Sequence, residues 1–177
     1  MDKTWTLFLD RDGVINEKRD NDYIKDWSEF YFTYKARESL AILSTFFDKI
    51  FIVTNQRGVG KGIMTEQDLI IIHDKMLESI KRKLGKIDKI YYCTDILDSS
   101  EYRKPNIGMA HKAKLDFPMI DFRKSIMIGD SETDMIFGKN VGMKCFMISN
   151  KGINEMCHFD KKFESLFDVT NFIASLK

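Results

Sequence analysis

Long hydrophobic runs are missing from this chain of 177 residues. No apolar stretch approaches the ~20 residues a membrane-spanning helix requires, and residues 1–9 are too short and too polar for a secretion signal. Cysteine is scarce. Cys93, Cys145 and Cys157 are odd in number, scattered, and form no CxxC pair, which argues against a disulfide framework and fits a reducing compartment. Pro105 and Pro118 are the only prolines, and no linker-like or repeated segment divides the chain. Neither charge sign dominates: 28 Lys and Arg stand against 27 Asp and Glu, for a formal net charge of +1. That leaves no bulk field for nucleic acid or an anionic membrane, while a local basic pocket would still suit a small anion. With 44% hydrophobic residues the chain has enough for one substantial core. A single domain over residues 1–177 is expected, soluble and cytoplasmic, as a monomer with a dimer left open.

What is present is an alternation of elements. TWTLFL (4–9), KIFIVTN (49–55), KIYYC (89–93), KSIMIGD (124–130) and GMKCFMIS (142–149) read as five strands. Helical spacing marks Ala36, Leu40, Leu43 and Phe47, and again Leu69, Ile72, Met76 and Ile80, with Thr65 as the N-cap of the second helix. Further helices are expected after Pro105, between the last two strands, and within residues 160–176. This order predicts an α/β fold with a mostly parallel central sheet and helices on both faces. Ligands of such folds bind beyond the carboxyl ends of the strands. Residues 10–34 form a long polar and aromatic connection. Its cluster of Phe30, Tyr31, Phe32 and Tyr34 is read as core packing or a lid contact, with a dimer surface as the alternative.

Four polar features fall at those strand ends. In LFLDRDGVIN (7–16), Asp10 and Asp12 lie two residues apart and point to the same side of an extended end. Such carboxylates repel unless a cation or a proton intervenes, and Mg²⁺ is a natural hard partner. A solvated turn bent at Gly13 is the alternative. Thr54 and Asn55 offer a hydroxyl and a backbone N–H to a phosphoryl oxygen, or else a capping turn. Lys104, between Arg103 and Pro105, is either a fixed charge reaching into the site or ordinary surface. Asp130 ends the fourth strand. Asp134, four residues on, either holds a metal-bound water or favours a helix N-terminus.

In this order, DxD, Thr, Lys and GDxxxD resemble the haloacid-dehalogenase-like (HAD) phosphatase superfamily, over roughly residues 4–149. FLDRDGVIN, TNQRGVGKG, RKP and GDSETDM further resemble its heptose bisphosphate and histidinol-phosphate phosphatases, a group with a minimal cap. The resemblance implies a Rossmann-like fold and a Mg²⁺-dependent phosphatase of a small phosphorylated metabolite. It implies Asp10 as nucleophile, Asp12 as general acid and base, and Thr54 and Lys104 as phosphoryl-holding residues. Asp10, the main-chain carbonyl of Asp12 and Asp130 would hold the metal, with Asp134 behind them. Asn55, Gln56, Arg57 and Arg103 match substrate-contacting positions, and Asp22 and Tyr23 are added from the first connection. Heptose 1,7-bisphosphate leads as substrate, with histidinol phosphate or another small phosphomonoester as the alternative.

One stretch departs from the group. Many relatives carry a zinc loop of three Cys and one His before the lysine motif. Here it reads YYCTDILDSSEYRKP, with Cys93 alone and Asp95 in the histidine's place. One thiolate does not make a four-ligand site, so no structural zinc is expected, and Cys93 is read as a small buried hydrophobe. A nucleic-acid 3′-phosphatase is disfavoured by the balanced charge. A receiver-like phosphoprotein is disfavoured because its phosphorylated Asp sits on the third strand.

Overall fold

Side-chain alternation along β1 (Thr6–Leu9) sets the two faces of the fold. In the computed structural model, which describes residues 4–19, 22–149 and 158–176, β1 is completely buried. It is joined by β2 (Lys49–Asn55), β3 (Lys89–Cys93), β4 (Ser125–Gly129), β5 (Lys144–Ile148) and β6 (Lys161–Phe163). The sheet order is β3-β2-β1-β4-β5-β6, and every neighbouring pair is parallel. The helices are α1 (Ala36–Leu43), α2 (Arg57–Gly60), α3 (Glu66–Arg82), α4 (Gly108–Asp116), α5 (Glu132–Asn140) and α6 (Leu166–Ser175).

Leu7, Leu9, Ile50, Ile52, Ile126 and Ile128 pack in one core with buried residues of α1, α3 and α6. Phe8, Phe51, Val53, Met127 and Cys145 pack in the other with α4 and α5. Strands buried on both faces are what a parallel sheet with helices on each side requires. α3 shows how sequence makes an element here. Thr65 and Asp68 form a capping box, with acids in the first turn and bases in the last. The cap is worth about 1 kcal/mol. Leu69, Ile72, Met76 and Ile80 are buried along one stripe and contribute roughly 1.5–3 kcal/mol each, so packing rather than capping holds α3.

The chain runs from β1 to β2 and β3 on one side, then returns to β4 on the other side of β1. The carboxyl end of β1 therefore lies at the switch point, where diverging connections leave a crevice. Among the described residues no helix is long and apolar enough to cross a membrane.

Three details differ from the sequence reading. β6 was not expected, because three residues with two exposed lysines carry no period. It fills the start of the window expected to hold the last helix. The helix expected after Pro105 does not follow at once but begins at Gly108. The chain first turns, with Asn106 N–H donating to the Arg103 carbonyl at 2.8 Å, and this turn sends Lys104 inwards. The aromatic cluster splits. Phe30 is buried against Trp27 and Phe32, while Tyr31 and Tyr34 are exposed. Cys157 lies outside the described residues.

Candidate active site

The residue after β1 is still zipped to its neighbour, since Asp10 N–H donates to the Ile128 carbonyl at 2.9 Å. Asp10 Oδ1 accepts from Arg11 N–H at 2.8 Å and pairs with Lys104 Nζ at 2.9 Å. Lys104 Nζ also donates to Asp134 Oδ1 at 2.6 Å and to the Val53 carbonyl at 2.7 Å. All three ammonium protons thus have acceptors. Burial alone would lower the Lys104 pKa, but Asp10 and Asp134 outweigh it and hold it raised. For Asp10, burial dominates. Lys104 opposes it, nearby carboxylates add to it, and the pKa is pushed up to about 7.

Two glycines let the acids come this close. A Cβ on Gly129 would sit 2.2 Å from Asp134 Cβ. Gly13 has φ +88°, and a Cβ there would sit 2.3 Å from Asp130 Oδ2. Asp134 caps α5 by accepting from the backbone N–H and hydroxyl of Ser131. Its other oxygen takes Lys104, so it does both a helix-terminus task and a site task. Asp10, Asp130 and Asp134 each place a carboxylate oxygen within 4.8 Å of the others. Burial raises Asp130 too, against Lys18. Asp130 Oδ1 is buried with no hydrogen-bond partner. Clustered hard oxygens with one unused acceptor fit a divalent cation of the Mg²⁺ kind.

Asp12 is gripped differently. Its Oδ1 accepts from Arg11 Nη2 and Asn16 Nδ2, both at 2.9 Å, and its Oδ2 accepts from Gln56 Nε2 at 2.8 Å. Burial alone would raise the Asp12 carboxyl. The Arg11 charge, with hydrogen bonds from Arg11, Asn16 and Gln56, overrides it and holds Asp12 below its ordinary range. Gln56 Nε2 also donates to Thr54 Oγ1 at 2.9 Å. The threonine hydroxyl is therefore an acceptor towards Gln56, and its own proton is turned elsewhere. The Arg11 side chain runs into the protein and is 1% exposed. Its Nη1 lies 3.2 Å from His73 Nε2 on α3. A guanidinium only donates, so Nε2 accepts and the imidazole is neutral. Burial and the Arg11 charge push the His73 pKa down to about 3.

A cavity of about 260 Å³ opens over these groups, lined by Asp10, Asp12, Thr54, Asn55, Gln56 and Lys104 on the sheet side and by Asp22, Tyr23 and Arg103 around it. Nine of the ten catalytic and substrate-contacting residues expected from sequence thus line one space. Asn55 commits both side-chain polar atoms to the Lys104 backbone, donating to its carbonyl at 3.1 Å and accepting from its N–H at 3.0 Å. Arg57 does not line the cavity. It pairs with Asp98, which Arg103 Nε also reaches at 3.0 Å. Asp130 and Asp134 sit beside the cavity in the carboxylate cluster. Lys18, Arg19, Ser131 and Thr133 also line it, and the sequence reading missed them. The basic pair within the 10–34 connection was the only signal for the first two. Cys93, 3% exposed, points its thiol at Asp95 and Ser100, 3.6 and 3.8 Å away.

The family model described as polynucleotide kinase 3 phosphatase matches residues 5–172. The chain is 38% identical over 170 residues to the D-glycero-alpha-D-manno-heptose-1,7-bisphosphate 7-phosphatase of Campylobacter jejuni, covering 96% of each chain. It is 31% identical to the D-glycero-beta-D-manno-heptose-1,7-bisphosphate 7-phosphatase of Vibrio cholerae, covering 97% of each. Its fold is similar to the crystal structure of a D,D-heptose 1,7-bisphosphate phosphatase from B. bronchiseptica complexed with magnesium and phosphate. That likeness has a TM-score of 0.85 at 23% identity over 98% of this chain and 99% of that one.

Proposed function

The chain belongs to the polynucleotide kinase 3 phosphatase family of HAD-like phosphatases, and on that premise we propose that it removes the 7-phosphate of D-glycero-D-manno-heptose 1,7-bisphosphate as a single domain. The protein is a phosphatase. The observation that carries the substrate is the likeness to the Campylobacter jejuni enzyme, which spans 96% of both chains. The near-neutral charge of +1 supports a small sugar phosphate over a nucleic-acid end.

In this reading Asp10 attacks phosphorus, an aspartyl O–P bond forms, and the bond from phosphorus to the sugar oxygen breaks. Asp12 gives its proton to the leaving alkoxide, then takes one from the water that hydrolyses the aspartyl phosphate. Asp12 Oδ1 is fully engaged by Arg11 and Asn16, so the proton is carried on Oδ2. The free carboxyl is held in its ionised form, so it becomes an acid only with a phosphoryl dianion beside it. Lys104 follows the charge. When Asp10 becomes an acyl phosphate its carboxylate charge is lost, and the Lys104 N–H that faced Asp10 turns to donate to the phosphoryl oxygens, so the contact strengthens in the transition state. Gln56 leaves the Thr54 hydroxyl proton free to donate there, and Arg103 faces the rest of the substrate.

Mg²⁺ would be held by the carboxylates of Asp10 and Asp130 and the main-chain carbonyl of Asp12, where a divalent ion neutralises charge between nucleophile and phosphate. The test is a panel assayed for kcat/KM with Mg²⁺: both anomers of the heptose bisphosphate, hexose bisphosphates, histidinol phosphate and a 3′-phosphorylated oligonucleotide. A heptose bisphosphate should rank first, and Asp10→Asn should lose several orders of magnitude on it. Preference for the oligonucleotide or histidinol phosphate would replace the substrate. Near-full activity of Asp10→Asn would remove the nucleophile.

A further inference from the structure

Asp130 has one ionic partner among the described residues, and it is not the buried lysine of the site. Lys104 uses its three donors on Asp10, Asp134 and Val53. Lys18 instead reaches in from the first connection, and its Nζ lies 2.7 Å from Asp130 Oδ2. Lys18 is 48% exposed while Asp130 is 15% exposed, so a solvated side chain covers a largely buried one. It satisfies half of the carboxylate, because Asp130 Oδ1 has no partner.

Entry of a cation changes the charge balance around that pair. The carboxylates of Asp10, Asp130 and Asp134, the Lys104 ammonium and one divalent ion sum to zero. Lys18 is then a surplus positive charge a few ångströms from that ion, and like charges at such range repel strongly in a partly buried site. Its ammonium also has somewhere to go, since Lys18 lines the cavity over Asp10 alongside Arg19 and Arg103. A phosphoryl dianion there is a better partner than a neutralised carboxylate.

We propose that Lys18 is an exchangeable placeholder: its ammonium holds Asp130 until a divalent cation arrives, and then transfers to the phosphate in the cavity. The proposal rests on reading Asp130 as a metal ligand. Losing the placeholder removes a competitor, so its removal strengthens metal binding. A half-exposed ion pair sets the scale, and Lys18→Met should bind Mg²⁺ alone about two- to five-fold more tightly than wild type in calorimetry at fixed ionic strength. Lys18→Arg, which keeps the charge, should match wild type. Inorganic phosphate added to the Mg²⁺-saturated proteins should show the reverse order, with Lys18→Met the weaker binder. Equal or weaker Mg²⁺ binding by Lys18→Met, or unchanged phosphate binding, overturns the exchange and leaves the metal site standing. Failure of wild type and variant alike to bind Mg²⁺ overturns the metal site and the exchange together.

Discussion

A neutral histidine ties the signature loop to α3. His73 accepts from Arg11, Arg11 grips Asp12, and the link works only while the imidazole carries no second proton. Its folded pKa of about 3 lies below the unfolded value of ~6.5. Between those values the unfolded chain binds the extra proton, so this stability is present above pH 6.5 and lost as pH falls towards 3. The loss is at most about 1.4 kcal/mol per pH unit. His73→Gln keeps an acceptor for Arg11 but does not titrate. Its urea-unfolding free energy should fall less steeply than wild type between pH 6 and 4, by about 1 kcal/mol per unit. Parallel slopes would show that His73 is protonated in the native state. At this scale the sequence was half legible. Asp10, Asp12 and Gly13 lie within four residues of one another, so their shared site could be read directly. Arg11 and His73 are far apart in sequence, and no local pattern joins them. Gln56 was read as a substrate contact; that its amide also donates to Asp12 and Thr54 comes from folding and carries no local signal.

Between elements, two side chains align the lysine segment with the sheet. Asn55, the last residue of β2, clamps both backbone polar groups of Lys104, and Asp98 joins Arg57 at the start of α2 to Arg103. Asn55→Ala removes the clamp without touching the ammonium. It should lower kcat by roughly 10- to 100-fold, because small displacements of a catalytic group cost about that much. Mg²⁺ affinity should stay near wild type. A change confined to KM would instead make Asn55 a substrate contact. The strands and the long helix were readable because each carries its own period. β6 was not, since its partner β5 rather than its own sequence makes it a strand. The exact start of α4 was not readable for a similar reason: Lys104 must turn inwards before a helix can begin.

Across the whole molecule, the cluster around Asp10 makes metal and stability one quantity. A cation that binds only the folded state adds about 2.7 kcal/mol at 100-fold over its dissociation constant. In a chain of 177 residues that amounts to a Tm rise of about 5–10 °C. Burial pushes the Asp10 pKa up to about 7, and the cation binds the ionised form, so the rise should be larger at pH 8 than at pH 6. Asp130→Ala should abolish most of it. A rise independent of pH would mean that Asp10 is ionised before the metal arrives. The order of motifs along the chain was legible and led to the right fold. The way they converge comes from β1 lying between β2 and β4. This placement also has a consequence during synthesis. β1 is made first, can pair with β2 early, and then keeps its other edge bare until residues 125–129 leave the ribosome. A strand wholly buried in the finished protein is thus an exposed edge in the nascent one, and β4 closes that edge and brings Asp130 to the site in the same event.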